Sequence, residues 1–288
     1  MFYNFHLVWY DNINGKNVSL KSQGKQMKKG ISFYFGYDIK PKLRAKMIAD
    51  TGFDCVITCA DKKFDKQNGT IKSQVKLFKK YGLKLSSLHM AYDSDKLHYF
   101  WEKGEEGNKL QKKLIKDVKI AYKYGFSCVV VHLFGKYSKV GEYRLRNVLQ
   151  VCEKLNVPLA IENTNSLPVF KKCFEKINNP YLNFCYDSGH NNVFDKEYDY
   201  LEKHQDKLIT LHLHDNDGKK DFHTLEQFGT IDWTKIAKIL AGKNLILDYE
   251  VLNRAKNNMS AIEFLQATKS MADRLEKLIE KEELRKNK

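Results

Sequence analysis

Cys128-Val129-Val130-Val131-His132 and, one amphipathic helix later, Leu159-Ala160-Ile161-Glu162 are the stretches on which the fold turns. Each is a short run of β-branched or other apolar residues, as a buried strand requires. Each ends in a side chain able to bind a metal. Six runs of this kind end at His89, His132, Glu162, Asp187, His212 and Glu250. A strand delivers its last side chain to one end of a sheet. If the strands are parallel and close into a barrel, six ligands meet at one mouth.

Outward from these runs the pattern alternates. Strands are expected at 31–35, 55–58, 85–89, 128–132, 159–162, 183–187, 209–212 and 245–250. Amphipathic helices are expected at 41–51, 71–81, 110–124, 141–155, 167–177, 198–204, 233–240 and 260–283. In the third of these, Leu110, Leu114, Val118 and Ala121 recur at helical spacing. Eight strand–helix units make an α/β protein, a (β/α)8 TIM barrel in a single domain spanning 27–288. A doubly wound open sheet would normally bring a glycine-rich phosphate loop after its first strand. Phe35-Gly36-Tyr37-Asp38 is not one. Residues 1–26 read as a leader or poorly ordered extension, the competing reading being a hairpin that caps the bottom of the barrel.

The chain has 288 residues, with 50 Lys and Arg against 35 Asp and Glu, a formal charge of +15. Such a balance allows nucleic acid or phosphorylated partners. The lysines are scattered over helix faces rather than clustered, so a compositional bias is the preferred reading. Six cysteines form no CxxC pair, and Cys55, Cys128 and Cys185 fall inside expected strands. There a free thiol behaves as a small apolar residue, which points to a reduced, cytoplasmic protein. No apolar run approaches the ~20 residues of a membrane span.

The candidate site residues follow from the strand ends. A carboxylate beside so apolar a strand as 158–161 is costly unless paired or bound to a metal, which singles out Glu162. Glu250 ends its own run in the same way. Asp187-Ser188-Gly189-His190 places a carboxylate and an imidazole three residues apart, with a glycine that permits a tight turn. His212-Leu213-His214-Asp215-Asn216-Asp217 then runs on to Asp221-Phe222-His223, the densest ligand cluster in the chain. His212 and His214 share a strand face, so spacing does not choose between them. Mixed imidazole and carboxylate donors suit Zn or Mn, with Co or Mg allowed. No cysteine joins the cluster to favour a soft metal.

Together these motifs resemble the xylose isomerase-like barrels grouped with endonuclease IV, the AP endonuclease family 2 superfamily. The resemblance rests on Ala160-Ile161-Glu162-Asn163, Tyr186-Asp187-Ser188-Gly189-His190 and the stretch from His212 through Asp221-Phe222-His223 to Gly229-Thr230-Ile231-Asp232-Trp233. It implies a metal shared by the family's isomerases, held by Glu162, Asp187, His212 and Glu250, with His214 behind them. The endonuclease pattern adds His89 and His132 for a second metal bridged by Glu162. It adds His190, Asp221 and His223 for a third, so one to three divalent ions per chain are expected. His89-Met90-Ala91-Tyr92 also fits an endonuclease HxxY pattern.

Departures from the endonucleases are local. His132-Leu133-Phe134-Gly135 replaces a Pro-Gly-Ser turn, Asn165-Ser166-Leu167-Pro168 replaces a glycine-rich loop, and Asp93-Ser94-Asp95 is acidic. They bear on DNA binding more than on metal binding. The resemblance therefore implies a metal-dependent sugar or sugar-phosphate isomerase or epimerase. It would work through an enediolate, with Glu162 and Glu250 exchanging a proton on opposite substrate faces and His190 orienting a hydroxyl. An endonuclease IV-like phosphodiesterase is the alternative, and a nucleic-acid partner belongs to that alternative alone. A barrel that binds without catalysis is the third class. A small carbohydrate is the expected partner, no membrane is involved, and a homo-oligomer is left open.

Overall fold

In the computed structural model, residues 26–91, 94–254 and 258–286 are described. Residues 1–25, most of the expected leader, lie outside them, as do Tyr92 and Asp93. Eight parallel strands carry the architecture: β1 (Lys29–Ser32), β2 (Cys55–Cys59), β3 (Lys84–His89), β4 (Cys128–Val131), β5 (Leu159–Glu162), β6 (Leu182–Asp187), β7 (Leu208–His212) and β8 (Leu247–Tyr249). Their order is β7-β6-β5-β4-β3-β2-β1-β8. Between β7 and β8 the barrel closes just past the end of β7, through a parallel bridge from Leu213 to Tyr249. Leu213 N donates to Asp248 O at 2.8 Å, and Glu250 N donates to Leu213 O at 3.0 Å. The chain is thus a (β/α)8 TIM barrel.

Helices cover the outer face of the sheet, and the sequence explains where they start and stop. The helix Glu105–Tyr124 opens with Glu105 and Glu106, whose charge complements the exposed N–H groups of its first turn. It ends at Gly125, in the left-handed region at φ 82°. Leu114, Val118 and Ala121 from its apolar stripe are fully buried, while Leu110 is half-buried at the margin. The last helix, Ala261–Lys286, buries Phe264, Leu265, Met271, Leu275 and Ile279 against the barrel.

Several expected boundaries move. The first strand pairs over Lys29–Ser32, not 31–35, because β1 finds its partners Cys55 and Leu247 earlier in the chain. The helix expected at 198–204 is reduced to Tyr200–Lys203, and the connection after β6 is led by the helix Ser188–Phe194. Strands β4 and β8 stop one residue short of His132 and Glu250, which hang from the strand ends.

Inside the barrel a small cluster of Cys128, Val130, Ala160 and Cys185, with Ile209 beside it, is separate from the main core. Small side chains leave room for polar groups from the other strands. One is Asp248, and a Cβ at Gly30 would come within 1.8 Å of its Oδ1, so glycine is required there. At the floor Lys29, 1% exposed, donates from Nζ to Glu276 at 2.6 Å and lies 3.1 Å from Asp273. Glu276 also accepts the N–H of Met27 at 2.6 Å. Among the described residues no helix is long and apolar enough to cross a membrane.

Candidate metal centre

The six strand ends do meet. His89, Glu162, Asp187 and His212 are the last residues of β3, β5, β6 and β7. For His89 a bulge matters. Between two paired positions β2 advances from Val56 to Thr58 while β3 advances from Leu85 to Leu88. The extra residue resets the alternation of faces. As a result both Ser86 and His89, three apart, face the interior: Ser86 Oγ donates to Asp248 and His89 reaches Glu162.

Asp187 has a second duty. It caps the helix Ser188–Phe194, and its Oδ1 accepts the N–H of His190 at 2.6 Å. That bond sets His190 in the first turn, facing the same pocket. The expected tight turn at Gly189 is absent; the backbone is helical there. Glycine is needed for another reason, since a Cβ would come 1.9 Å from Cε1 of His214. Asn163 locks β5 to β6, donating to Asp187 O at 2.8 Å and accepting Asp187 N–H at 2.7 Å.

Beyond β7, Asp215 organises the loop. Its carboxylate accepts from Thr230 N, Ile231 N and Trp233 Nε1 at 2.9, 3.1 and 2.9 Å. Its main chain pairs both ways with Thr224. Gly229 leaves space for it, because a Cβ would lie 1.9 Å from Asp215 Cγ. The Gly229-to-Trp233 motif is thus a scaffold that presents Asp221 and His223.

Four donor sets result among the described residues, each with one atom per residue inside a mutual 4.8 Å; one joins Cys185 to Glu162 and His212, and three combine imidazoles and carboxylates alone. Of those three, the first is His89, His132 and Glu162; the second is Glu162, Asp187, His212 and Glu250; the third is His190, Asp221 and His223. Glu162 stands at the centre. His132 Nε2 is 3.0 Å from its Oε1, and His212 Nδ1 is 2.8 Å from its Oε2. His212 Nδ1 is also 3.2 Å from Glu250 Oε2. In the third set His223 Nε2 is 3.0 Å from Asp221 Oδ2 and His190 Nε2 is 3.5 Å from it.

These close approaches are not all hydrogen bonds. Glu162 Oε1, both ring nitrogens of His212 and Asp221 Oδ1 are buried without a hydrogen-bond partner. Leaving such groups unmet costs about 1–3 kcal/mol each. Converging buried lone pairs are what a cation would satisfy, so the residues fit a divalent metal.

Charge supports the fit. Burial alone would raise the Glu162 carboxyl, yet His132 and His212 hold it well below the usual range. Burial would lower His190 and His212, yet the surrounding acids, with Cys185 beside His212, raise both well above the usual histidine range. His132, where burial dominates, is lowered. A pocket whose acids draw protons onto buried imidazoles is one that attracts positive charge.

Cys185 and Asp248 stand closer to the site than their sequence signals indicated, and His214 lies behind Asp187, where the resemblance put it. Cys185, read as an apolar strand residue, offers a sulfur within the same 4.8 Å reach as Glu162 and His212. It lies two residues before Asp187 on one strand face, which was the available clue. Burial pushes its thiol well above the usual range, so it packs as a neutral group. His214 is fully buried, with Nε2 at 3.0 Å from Asp187 Oδ1 and 3.8 Å from Asp221 Oδ1. Its ring stacks on His223 with centroids 3.9 Å apart. Asp248 lies one layer beneath Glu250, and burial raises its carboxyl to about 7.

Fold and mouth together define a (β/α)8 barrel with a candidate cation site at the end where the strands finish. Residues 45–268 match the xylose isomerase-like TIM barrel family, and the chain belongs to that family. A curated relative, the uncharacterized protein y4fM of Sinorhizobium fredii (strain NBRC 101917 / NGR234), is 32% identical over 137 residues. That match covers 44% of each chain, so this chain aligns with less than half the relative's length. Among solved structures, a D-tagatose 3-epimerase-like protein superposes with a TM-score of 0.72 at 17% identity, covering 88% of this chain and 99% of that one. A D-psicose 3-epimerase with D-tagatose, from Clostridium cellulolyticum H10, gives 0.70 at 15% identity, with 88% and 99% covered.

Proposed function

We propose that this protein is a divalent-metal-dependent isomerase or epimerase of a sugar or sugar phosphate. One observation carries the reading. Glu162, Asp187, His212 and Glu250 converge within 4.8 Å, and Glu250 also lines a cavity of about 390 Å³ beside them. A metal bound there would polarise a substrate carbonyl and neighbouring hydroxyl. Glu162 is fully buried, whereas the Glu250 side chain is 21% exposed. Glu250 is thus the carboxylate that reaches substrate from the cavity side, with an oxygen able to take a proton from a substrate carbon. Glu162 acts from the opposite wall. His190, with Nδ1 3.0 Å from Glu162 Oε1, orients a hydroxyl between them.

A second reading, an endonuclease IV-like phosphodiesterase, is favoured by the His89–His132–Glu162 and His190–Asp221–His223 sets, which would hold further metals. Elemental analysis of the purified protein separates the two. About one metal per chain, with chelator-sensitive interconversion of ketohexoses, is expected. Two or three tightly held zinc ions, with chelator-sensitive cleavage of an abasic-site duplex, would overturn the isomerase reading.

A further inference from the structure

The cavity of about 390 Å³ has a wall of unusual character for this chain. Phe33, Tyr34, Phe64, Asn68 and Arg254 line it together with His89 and Glu250. Its volume lies within the range of small-molecule sites. The chain carries 50 Lys and Arg, yet among the described residues the lining includes no lysine and a single arginine. That arginine, Arg254, donates from Nη1 to the main-chain oxygen of Asp221 at 2.7 Å. Aromatic faces and amides suit the C–H and hydroxyl groups of a neutral sugar. A phosphate would call for clustered cations.

Asn68 occupies a particular place in this wall. It ends the short helix Asp65–Asn68 that follows β2, and it is 7% exposed. Behind it lies Arg44, fully buried. Arg44 donates from Nη1 to Asn68 Oδ1 at 2.7 Å, and from Nη2 to the carbonyls of Tyr37 and Ile39 at 3.3 and 2.9 Å. Its guanidinium also lies 5.1 and 5.2 Å from the ring centroids of Phe33 and Tyr34. A guanidinium has donors and no acceptor, so the amide atom that faces it is the oxygen. The orientation of the amide follows, and Nδ2 with its two N–H groups is turned away from Arg44. Among the described residues Nδ2 has no hydrogen-bond acceptor, and it is not one of the buried unpartnered atoms. Solvent therefore reaches it, on a residue that lines the cavity.

We propose that Asn68, held by Arg44, is a specificity-determining residue that donates a hydrogen bond to a hydroxyl of an uncharged sugar in this cavity. The proposal rests on the carbohydrate reading above and deepens it. A purely structural strut from Arg44 to the helix would explain Oδ1 but gives Nδ2 no part.

The test compares metal-loaded wild type, Asn68→Asp and Asn68→Ala. D-tagatose, D-psicose, D-fructose and D-sorbose are assayed first, then the monodeoxy analogues of the best of them. Asn68→Asp keeps the shape and the contact with Arg44 but removes the N–H donors. Wild type is expected to disfavour one deoxy analogue by about 10- to 100-fold in kcat/KM, the loss of one hydrogen bond to a buried polar group. In both variants that ratio is expected to fall within about threefold with metal content unchanged, and Asn68→Ala, which leaves an N–H of the buried Arg44 unmet, is expected to lose thermal stability as well. An unchanged ratio, or a wild type indifferent to every analogue, overturns the role of Asn68 and leaves the isomerase reading standing. No turnover of any of the four ketoses overturns the carbohydrate reading itself, and this assignment with it.

Discussion

The barrel buries charge at both of its ends, and the two ends handle it differently. At the floor, Lys29 meets Glu276 and Asp273, and Lys269 also reaches Asp273 at 2.7 Å, so each charge has its opposite. At the mouth, Glu162, Asp187 and Glu250 crowd together with Asp221 nearby, facing histidines with no lysine or arginine among these donor sets, and atoms of Glu162 and Asp221 find no hydrogen bond. The floor is arranged for stability. The mouth keeps unsatisfied donors and repelling acids in place, which makes sense for a site whose partner arrives from solution. In barrels of this class reactive groups sit at the strand C-termini and the opposite end serves stability. The distribution of satisfied and unsatisfied charge here follows that division.

Substitutions at the two ends should separate these roles. The largest effect is expected at the mouth. Glu162→Gln should lower turnover by about 10²–10⁴-fold, the range for losing a general acid–base group. Because His132 and His212 hold the Glu162 carboxyl below its usual range, the metal-free variant should also lose some stability at neutral pH. Unchanged turnover would erase the contrast between the ends. Lys29→Met is the mirror experiment. It leaves Glu276 buried without its cation and should cost about 3 kcal/mol by denaturant titration, near the lower bound for breaking a buried pair because Asp273 is partly solvated. Bound metal should be unaffected; a drop in metal content would mean that the floor shapes the mouth.

A finer test lies behind the ligands. His214 holds Asp187 and stacks on His223, so His214→Ala should weaken metal binding by about 10- to 100-fold, as read by competition with a chelating dye. Gly189→Ala should do the same from the other side of the ring by displacing it. If His214 merely fills space, His214→Leu, which restores volume without an N–H donor, would bind metal as wild type does.

The smallest effect concerns Glu142, an acid in the first turn of the helix Lys139–Leu155. Lys139 and Arg146 draw the Glu142 carboxyl from its ordinary 4.5 down to about 2. A depressed carboxyl contributes stability that is complete above its unfolded value and is lost as pH falls through the folded one. The contribution of Glu142 should therefore fade between about pH 4.5 and 2. Glu142→Gln should flatten that part of the stability curve in acid denaturation and leave the neutral region nearly unchanged. A variant curve parallel to wild type throughout would show that solvent already screens the pair.

Much of the mouth was legible in the chain because two simple periodicities suffice. Strand residues alternate faces, and parallel strands end together, so a ligand at each run's end implies convergence. His89, His132, Glu162, Asp187, His212 and Glu250 could be found that way. Asp221 and His223 were visible as a dense cluster, but the reason they arrive at the site was not. It lies in Asp215, whose carboxylate gathers the main chain around Thr230 and Ile231. Cys185 was misjudged because a thiol in an apolar run looks like packing until its neighbours across the barrel are known. The register shift in β3 was also hidden, since a single extra residue leaves the hydrophobic pattern almost untouched while changing which serine meets Asp248.

The amino-acid order by itself determined the eight strand–helix units and the candidate ligands at the strand ends, because alternation and helical periodicity are local properties. Spacing left His212 and His214 equivalent and the resemblance ranked them; only the tertiary structure gives what each meets, Glu162 and Glu250 for His212, Asp187 and Asp221 for His214. The two share a strand direction and differ only in what the rest of the barrel places in front of them. The same holds for Gly189 and Asn68: one is required by a ring brought from β7, the other oriented by a guanidinium from a different helix. Local patterns specify which way a side chain faces, whereas packing between distant segments decides what it meets.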